Sequence, residues 1–248
     1  MPKETTPGDS ATSRRVLITG ASSGIGEASA RALAHAGFDV VLVARSQPKL
    51  SALAVELCTL GIDARGFSID LTDSAQVKPN LRRVVESVGP MDVLINSAGM
   101  GYTGPLGEMP LADWQQVLDL NVTSAFLAVQ ALLPEMRKRG QGLIVNIASI
   151  AAQQAFPDWG AYGVSKAALV TLSNAIAVEE AANGIRVVTL SPGAVNTPLW
   201  DTATVQATFD RSAMLDPKTV AQTILHTVLL PPEAVISHLT LTPAQGAL

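Results

Sequence analysis

The chain has 248 residues, 48% hydrophobic and 15% charged, with a net charge of −4 and a pI near 5.4. Such a composition excludes a disordered chain. The acidic balance excludes a broad basic face, so no nucleic-acid partner is expected.

The elements follow in chain order. Residues 1–13 are polar, carry Pro2 and Pro7, and lack the basic start and apolar core of a signal peptide. They are expected to form a disordered tail. Short β-branched runs then recur at 15–19, 39–43, 65–69, 91–96, 143–147, 185–190 and 238–242. Mostly apolar runs of this length suit strands buried on both faces of a parallel sheet. Helical stretches lie between them, at 24–36, 48–60, 73–88, 111–139, 158–182 and 217–230. The first three stop at Gly37, Gly61 and Gly89, the glycine that commonly follows a helix. The fourth contains Pro134, where a kink or break is expected. This alternation reads as one α/β domain over residues 14–248, with helices on both faces of an open, doubly wound parallel sheet.

Several chemistries find no support. No uninterrupted apolar run reaches the ~18 residues of a membrane span, so no membrane partner is expected. Cys58 is the single cysteine, consistent with a cytoplasmic protein. Its helical apolar spacing predicts a buried, inert thiol. His35, His226 and His238 are scattered and show no metal-ligand spacing.

The first strand runs into Thr19-Gly20-Ala21-Ser22-Ser23-Gly24-Ile25-Gly26 and then into a helix. Glycines here permit a tight turn and let backbone N–H groups approach a pyrophosphate. The helix N-terminus adds partial positive charge, and Ser22 and Ser23 add hydroxyl donors.

A second constellation is Tyr162-Gly163-Val164-Ser165-Lys166. A spacing of four puts Tyr162 and Lys166 on one helix face. A phenolate ready at pH 7 costs roughly 4 kcal/mol, and a neighbouring ammonium is expected to lower that cost. Ser149 lies just past the fifth strand, at the sheet end where open α/β folds place ligands.

The glycine pattern, the separation of Ser149 from Tyr162 and the order of the motifs resemble the short-chain dehydrogenase/reductase family. The resemblance implies a Rossmann-type fold and hydride transfer between a nicotinamide cofactor and a carbonyl or alcohol. It implies that Ser149 bonds the substrate carbonyl, that Tyr162 exchanges the proton, and that Lys166 also holds the nicotinamide ribose. Asn121, in Leu120-Asn121-Val122-Thr123, matches a fourth catalytic position that supports a water relay to the lysine. Asn96-Ser97-Ala98-Gly99 resembles the family's N-N-A-G, with Ser97 in place of the second asparagine. Asp70 and Leu71 match the adenine contact. Pro192-Gly193-Ala194-Val195-Asn196-Thr197 resembles the stretch that holds the carboxamide and opens a substrate lid, here residues 198–216. Leu199, Trp200 and Phe209 in that lid, with Met100, Tyr102, Ile150, Phe156 and Trp159, are candidates for an apolar pocket wall. A homotetramer is implied as well. The long helices and low charge agree with paired helix faces, and residues 234–248 are candidates for a subunit contact.

Cofactor choice is read at the end of the second strand, in Val43-Ala44-Arg45-Ser46. An enzyme for NAD places a carboxylate there. Ala44 stands instead, followed by the Arg45 guanidinium and the Ser46 hydroxyl, both suited to the 2′-phosphate of NADP(H). Two other functions are carried forward. One is a reductase of 3-oxoacyl thioesters on a carrier protein, for which Arg137, Lys138 and Arg139 form a candidate basic patch. The other is a non-catalytic NADP(H) sensor.

Overall fold

The structure is a computed structural model that describes residues 14–207 and 209–246. The tail expected at 1–13 lies outside the described residues. Seven strands form one parallel sheet: β1 (Arg15–Thr19), β2 (Asp39–Ala44), β3 (Ala64–Ser68), β4 (Val93–Asn96), β5 (Gly142–Ile147), β6 (Ile185–Pro192) and β7 (His238–Leu241). Their spatial order is β3-β2-β1-β4-β5-β6-β7. Every pair is parallel, with Thr19 opposite Val43 on one side and Asn96 on the other. The chain therefore reverses direction across the sheet between β1 and β4, and crevices form at such switch points.

Alternation along each strand feeds two apolar layers. Val16 and Ile18 of β1 join the layer under α1 (Gly24–His35), α2 (Gln47–Cys58) and α7 (Pro217–Leu229). Leu17, between them, joins the layer under α3 (Ser74–Val88), α5 (Ser124–Arg139) and α6 (Gly160–Glu180). The inner strands are mostly apolar on both faces because helices cover both, whereas the edge strands β3 and β7 carry Arg65, Ser68, His238 and Thr240 and are partly exposed.

Three expectations are corrected here. The 111–139 helix is not interrupted at Pro134. It divides into α4 (Leu111–Leu118) and α5 through a wide π turn, Asp119–Thr123. Proline removes one backbone bond, and the buried Leu132 and Met136 on either side of it hold α5 continuous against the sheet. The π turn instead carries Asn121, whose side chain is tied to another loop. The sixth helix begins at Gly160 rather than 158, because Asp158 has a left-handed backbone, φ 66°. Cys58 is exposed, not buried. It lies in the last turn of α2, and its thiol donates to Ala64 O at 3.6 Å.

Two stretches, Leu111–Arg139 and Gly160–Asn183, are long and apolar enough to cross a bilayer by length and composition. Here they pack on the sheet, which buries 44% and 33% of their most apolar windows. Apolar side chains remain outside, among them Leu111, Phe126, Val164 and Val178.

Candidate active site

A cleft of about 400 Å³ opens at the carboxyl ends of β1, β2 and β4. Gly20, with φ +68°, makes the turn after β1. A Cβ there would lie 2.8 Å from Ala98 Cα, so glycine lets the loops after β1 and β4 meet. Thr19 fixes the same junction, its hydroxyl accepting from Ser97 N at 3.1 Å and Ala98 N at 3.2 Å. Gly26 lies behind the turn, where a Cβ would meet Gly20 O at 2.4 Å. Ser23 precedes α1 in extended conformation and its side chain makes no cap bond. The first N–H groups of α1 and the hydroxyls of Ser22 and Ser23 thus border a cradle shaped for a pyrophosphate.

The rest of the cleft wall brings together Gly24, Ile25, Arg45, Ser46, Asp70, Leu71, Ala98, Gly99 and Thr197. Arg45 is exposed and carries no salt bridge among the described residues. Two hydrogen bonds from Thr72, backbone N–H and hydroxyl, hold the Asp70 carboxyl below the usual range and keep it charged. Lys49 also lines the cleft and was not among the expected site residues. Its signal in the sequence is a basic residue in the first turn of the helix after Arg45. Asn96 does not reach the cleft wall. It is buried and donates to Asn146 Oδ1 at 2.8 Å, which ties β4 to β5.

A second cavity, of about 430 Å³, adjoins the first and shares Ile25, Ser97, Gly99, Thr197 and Leu199 with it. Pro192, Gly193 and Val195 form one wall, and Ser149, Tyr162 and Lys166 another. Ser149 follows β5 in extended conformation, and its Oγ accepts from Ala151 N at 3.1 Å. It neighbours the Tyr162 phenol, on which it acts to favour the ionised form. The Lys166 ammonium is buried 5.6 Å from the Tyr162 ring centroid and donates to Ile147 O at 2.8 Å. Asn121 lines neither cavity and is buried behind Gly99. Its Oδ1 accepts from Met100 N at 2.8 Å, and its Nδ2 donates to Met100 O at 3.0 Å and Ser165 Oγ at 2.9 Å.

The expected lowering of Tyr162 by Lys166 does not prevail in this arrangement. Burial pushes the phenol up, and only the neighbouring Ser149 hydroxyl pulls it down. Burial also brings the Lys166 ammonium down to about 8 from 10.5. That depression means a burial cost of roughly 3 kcal/mol at ~1.36 kcal/mol per pH unit. Below pH 8 both folded and unfolded chains hold the proton, so the cost is fully present. Between 8 and 10.5 the folded chain gives the proton up first, and stability rises. Lys166→Met is therefore expected to stabilise the cofactor-free protein at pH 7 by about 1–2 kcal/mol, after losing the ~1 kcal/mol bond to Ile147 O. The gain should shrink towards pH 10. Urea denaturation at both pH values checks this, and a less stable variant at pH 7 would refute it.

Residues 198–207 and 209–216 cover the second cavity. Ile150, Phe156, Trp159, Leu199, Trp200 and Phe209 line it as expected. Met100 and Tyr102 do not. Met100 is held against Asn121, and the Tyr102 hydroxyl donates to Asp113 Oδ2 at 3.1 Å. The covering segment is fastened to the loop after β4. Thr103 N donates to Thr204 O at 2.9 Å, Thr204 Oγ1 to Gly101 O at 2.7 Å, and Gln206 N to Thr103 Oγ1 at 2.7 Å. Val205 sits on Gly101, where a Cβ would lie 2.7 Å from its Cγ2. Arg211 holds the other end, donating to Asn196 Oδ1 at 3.0 Å and Thr197 O at 2.9 Å and pairing with Asp201.

The basic run at the end of α5 is fully paired. Arg137 meets Glu180, Lys138 meets Glu135 and Arg139 meets Asp92. Among the described residues no cluster of His, Cys, Asp or Glu could hold a metal ion.

The parallel sheet, the glycine cradle at its switch point and the adjoining cavity define a Rossmann-type oxidoreductase. The sequence pattern of the short chain dehydrogenases matches residues 14–207, and the chain belongs to that family. An uncharacterized oxidoreductase of Staphylococcus epidermidis is 30% identical over 227 residues, 92% of this chain and 96% of that protein. Another, of Staphylococcus haemolyticus, is 31% identical over 230 residues, 93% of this chain and 97% of its own. An alcohol dehydrogenase from Thermococcus sibiricus, solved with 5-hydroxy-NADP, superposes with a TM-score of 0.86 at 28% identity, covering 94% of this chain and 97% of its own. A metagenomic short-chain oxidoreductase, solved with NADP, gives 0.81 at 30% identity, over 93% of this chain and 97% of its own.

Proposed function

We propose that the chain is an NADP(H)-dependent oxidoreductase acting on a carbonyl or alcohol through Ser149, Tyr162 and Lys166, with Asn121. The observation that carries this reading is the juxtaposition of Ser149, Tyr162 and the buried Lys166 in the wall of one cavity, continuous with the glycine cradle. The residues present fit the dinucleotide. Gly20 to Ile25 would take the pyrophosphate, Asp70 and Leu71 the adenine, Arg45, Ser46 and Lys49 the 2′-phosphate, and Val195 and Thr197 the carboxamide.

The bound nicotinamide supplies or accepts the hydride. In reduction the carbonyl carbon gains that hydride and its oxygen gains a proton. Ser149 and Tyr162 both donate towards that oxygen and fix its position. A phenol kept neutral by burial is the form that can give up a proton, and Tyr162 delivers it as charge develops. Lys166 then steadies the phenolate that remains. Asn121 clamps the Met100 backbone and Ser165, one residue from Lys166, and so holds the loop after β4 against α6. Residues 198–216 act as the lid.

The reading is tested by following loss of the reduced nicotinamide signal from NADPH with a panel of ketones, aldehydes and acyl thioesters. Turnover is expected with at least one ketone or aldehyde. NADPH binding without any turnover would leave the sensor function instead. A carrier-bound thioester has less support, because the cations of its candidate docking patch are all paired.

The protein is further proposed to work in the cytoplasm as a homotetramer. Phe126, Val164 and Val178 are exposed on α5 and α6, and a second copy would cover them. Sedimentation at micromolar concentration should give a tetramer; a monomer would refute the assembly.

A further inference from the structure

We propose that the substrate is a neutral carbonyl compound bearing an aryl group, seated against Trp159, Trp200 and Phe209, and that anionic keto acids are rejected. This rests on the reductase reading above and deepens it.

Three ring contacts run outward from the reacting end. Trp159 meets Tyr162 edge-on, with centroids 5.3 Å apart and planes at 72°. Trp200 meets Trp159 at 5.4 Å and 65°. Phe209 meets Trp200 at 5.1 Å and 74°. Aromatic rings favour such edge-to-face arrangements, and a flat substrate ring would add one more partner to the series. The rings are held from behind as well. Trp200 Nε1 donates to Val195 O at 2.8 Å, so the indole is oriented by the same stretch that borders the nicotinamide position. The six-membered edge of Trp159 abuts Gly101, where a Cβ would come within 3.2 Å of it. Phe209 ends the series at the outer part of the wall and is 42% exposed.

Charge separates this class from the others. Among the described residues Lys166 is the sole charged side chain in the cavity wall, and its ammonium is committed to Ile147 O at 2.8 Å. Arg211, on the covering segment, is spent on Asn196, Thr197 and Asp201. A carboxylate remote from the reacting carbonyl would lose its water and gain no cation, which is strongly unfavourable. The cavity volume of about 430 Å³ lies within the roughly 300–1,000 Å³ of sites for drug-sized ligands, ample for a substituted aryl ketone beside the nicotinamide.

The test compares acetophenone with cyclohexyl methyl ketone, and methyl 4-acetylbenzoate with 4-acetylbenzoate, using NADPH. Wild type, Trp159→Leu and Phe209→Leu are each assayed, the last at an exposed position where folding is not at risk. The ester is expected to exceed the acid in kcat/KM by at least about a hundredfold. Trp159→Leu should lower the acetophenone-to-cyclohexyl ratio about three- to tenfold, and Phe209→Leu should lower kcat/KM for the longer ester by a similar factor. Ratios between ketones measured in each variant cancel their different intrinsic reactivity. Equal rates for ester and acid, or no loss in either variant, would overturn the inference. Preference for a short 3-oxoacyl thioester over both aryl ketones would overturn it and leave the reductase reading standing. NADPH bound but no carbonyl reduced would overturn both.

Discussion

Tyr162→Phe is expected to lower turnover by about two to four orders of magnitude while leaving NADPH affinity nearly unchanged. General acid–base catalysis contributes a factor of that size. The substitution removes one hydroxyl and keeps the ring that packs against Trp159 at 5.3 Å, so the aromatic wall stays in place. Ser149 keeps its own anchor, the bond from Ala151 N. The loss should therefore appear in kcat and kcat/KM together, as for a group that acts in the transition state. Steady-state kinetics on an aryl ketone and NADPH fluorescence titration measure the two quantities. More than about a tenth of wild-type turnover, on a substrate whose reduction is limited by chemistry, would remove Tyr162 from the role of acid.

The second large effect concerns the two cofactors. NADPH is expected to exceed NADH in kcat/KM by about one to two orders of magnitude. A charge-assisted bond from Arg45 is worth roughly 1.5–3 kcal/mol. Arg45 and Lys49 are both exposed, so salt screens part of that and the lower end applies at moderate ionic strength. Ala44→Asp combined with Arg45→Ala should reverse or abolish the preference. The new carboxylate would repel a 2′-phosphate and accept from a 2′-hydroxyl. Hydride transfer to a common ketone should otherwise persist, because neither residue lines the cavity of Tyr162. Equal efficiency with both cofactors in the wild type would refute this assignment.

The parts of the site written in local sequence were legible from it. The glycine turn, Arg45 and the Tyr162–Lys166 spacing each depend on neighbours within one turn or one loop. The inner strands were legible because burial on both faces leaves nearly unbroken apolar runs; the edge strands β3 and β7, polar and partly exposed, gave a weaker signal. What stayed hidden depends on contacts between distant segments. Asn121 sits in a π turn because its amide clamps Met100, twenty-one residues earlier in the chain, and nothing local marks that turn. Pro134 announced a break that packing on both sides overrode. Cys58 follows an apolar spacing, but it falls at the end of α2, where the helix leaves the sheet. Tyr102 reads as a pocket residue, and only the fold brings Asp113 to its hydroxyl. Lys49 was passed over because a lysine near a helix start is common, and only the cleft sets it beside Arg45.

The fastening between Thr103, Thr204 and Gln206 sets a population. Three hydrogen bonds at about 1 kcal/mol net each sum to roughly 3 kcal/mol. Were these three bonds alone to hold the segment shut, about 1.4 kcal/mol per decade would leave on the order of one molecule in a hundred and fifty open at any moment. A ligand that enters only the open form has its apparent affinity reduced by the same fraction. Weakening one rung would raise the open fraction several-fold. It would also loosen the packing of Val205 on Gly101, and with it the hold of the covering segment on the loop after β4.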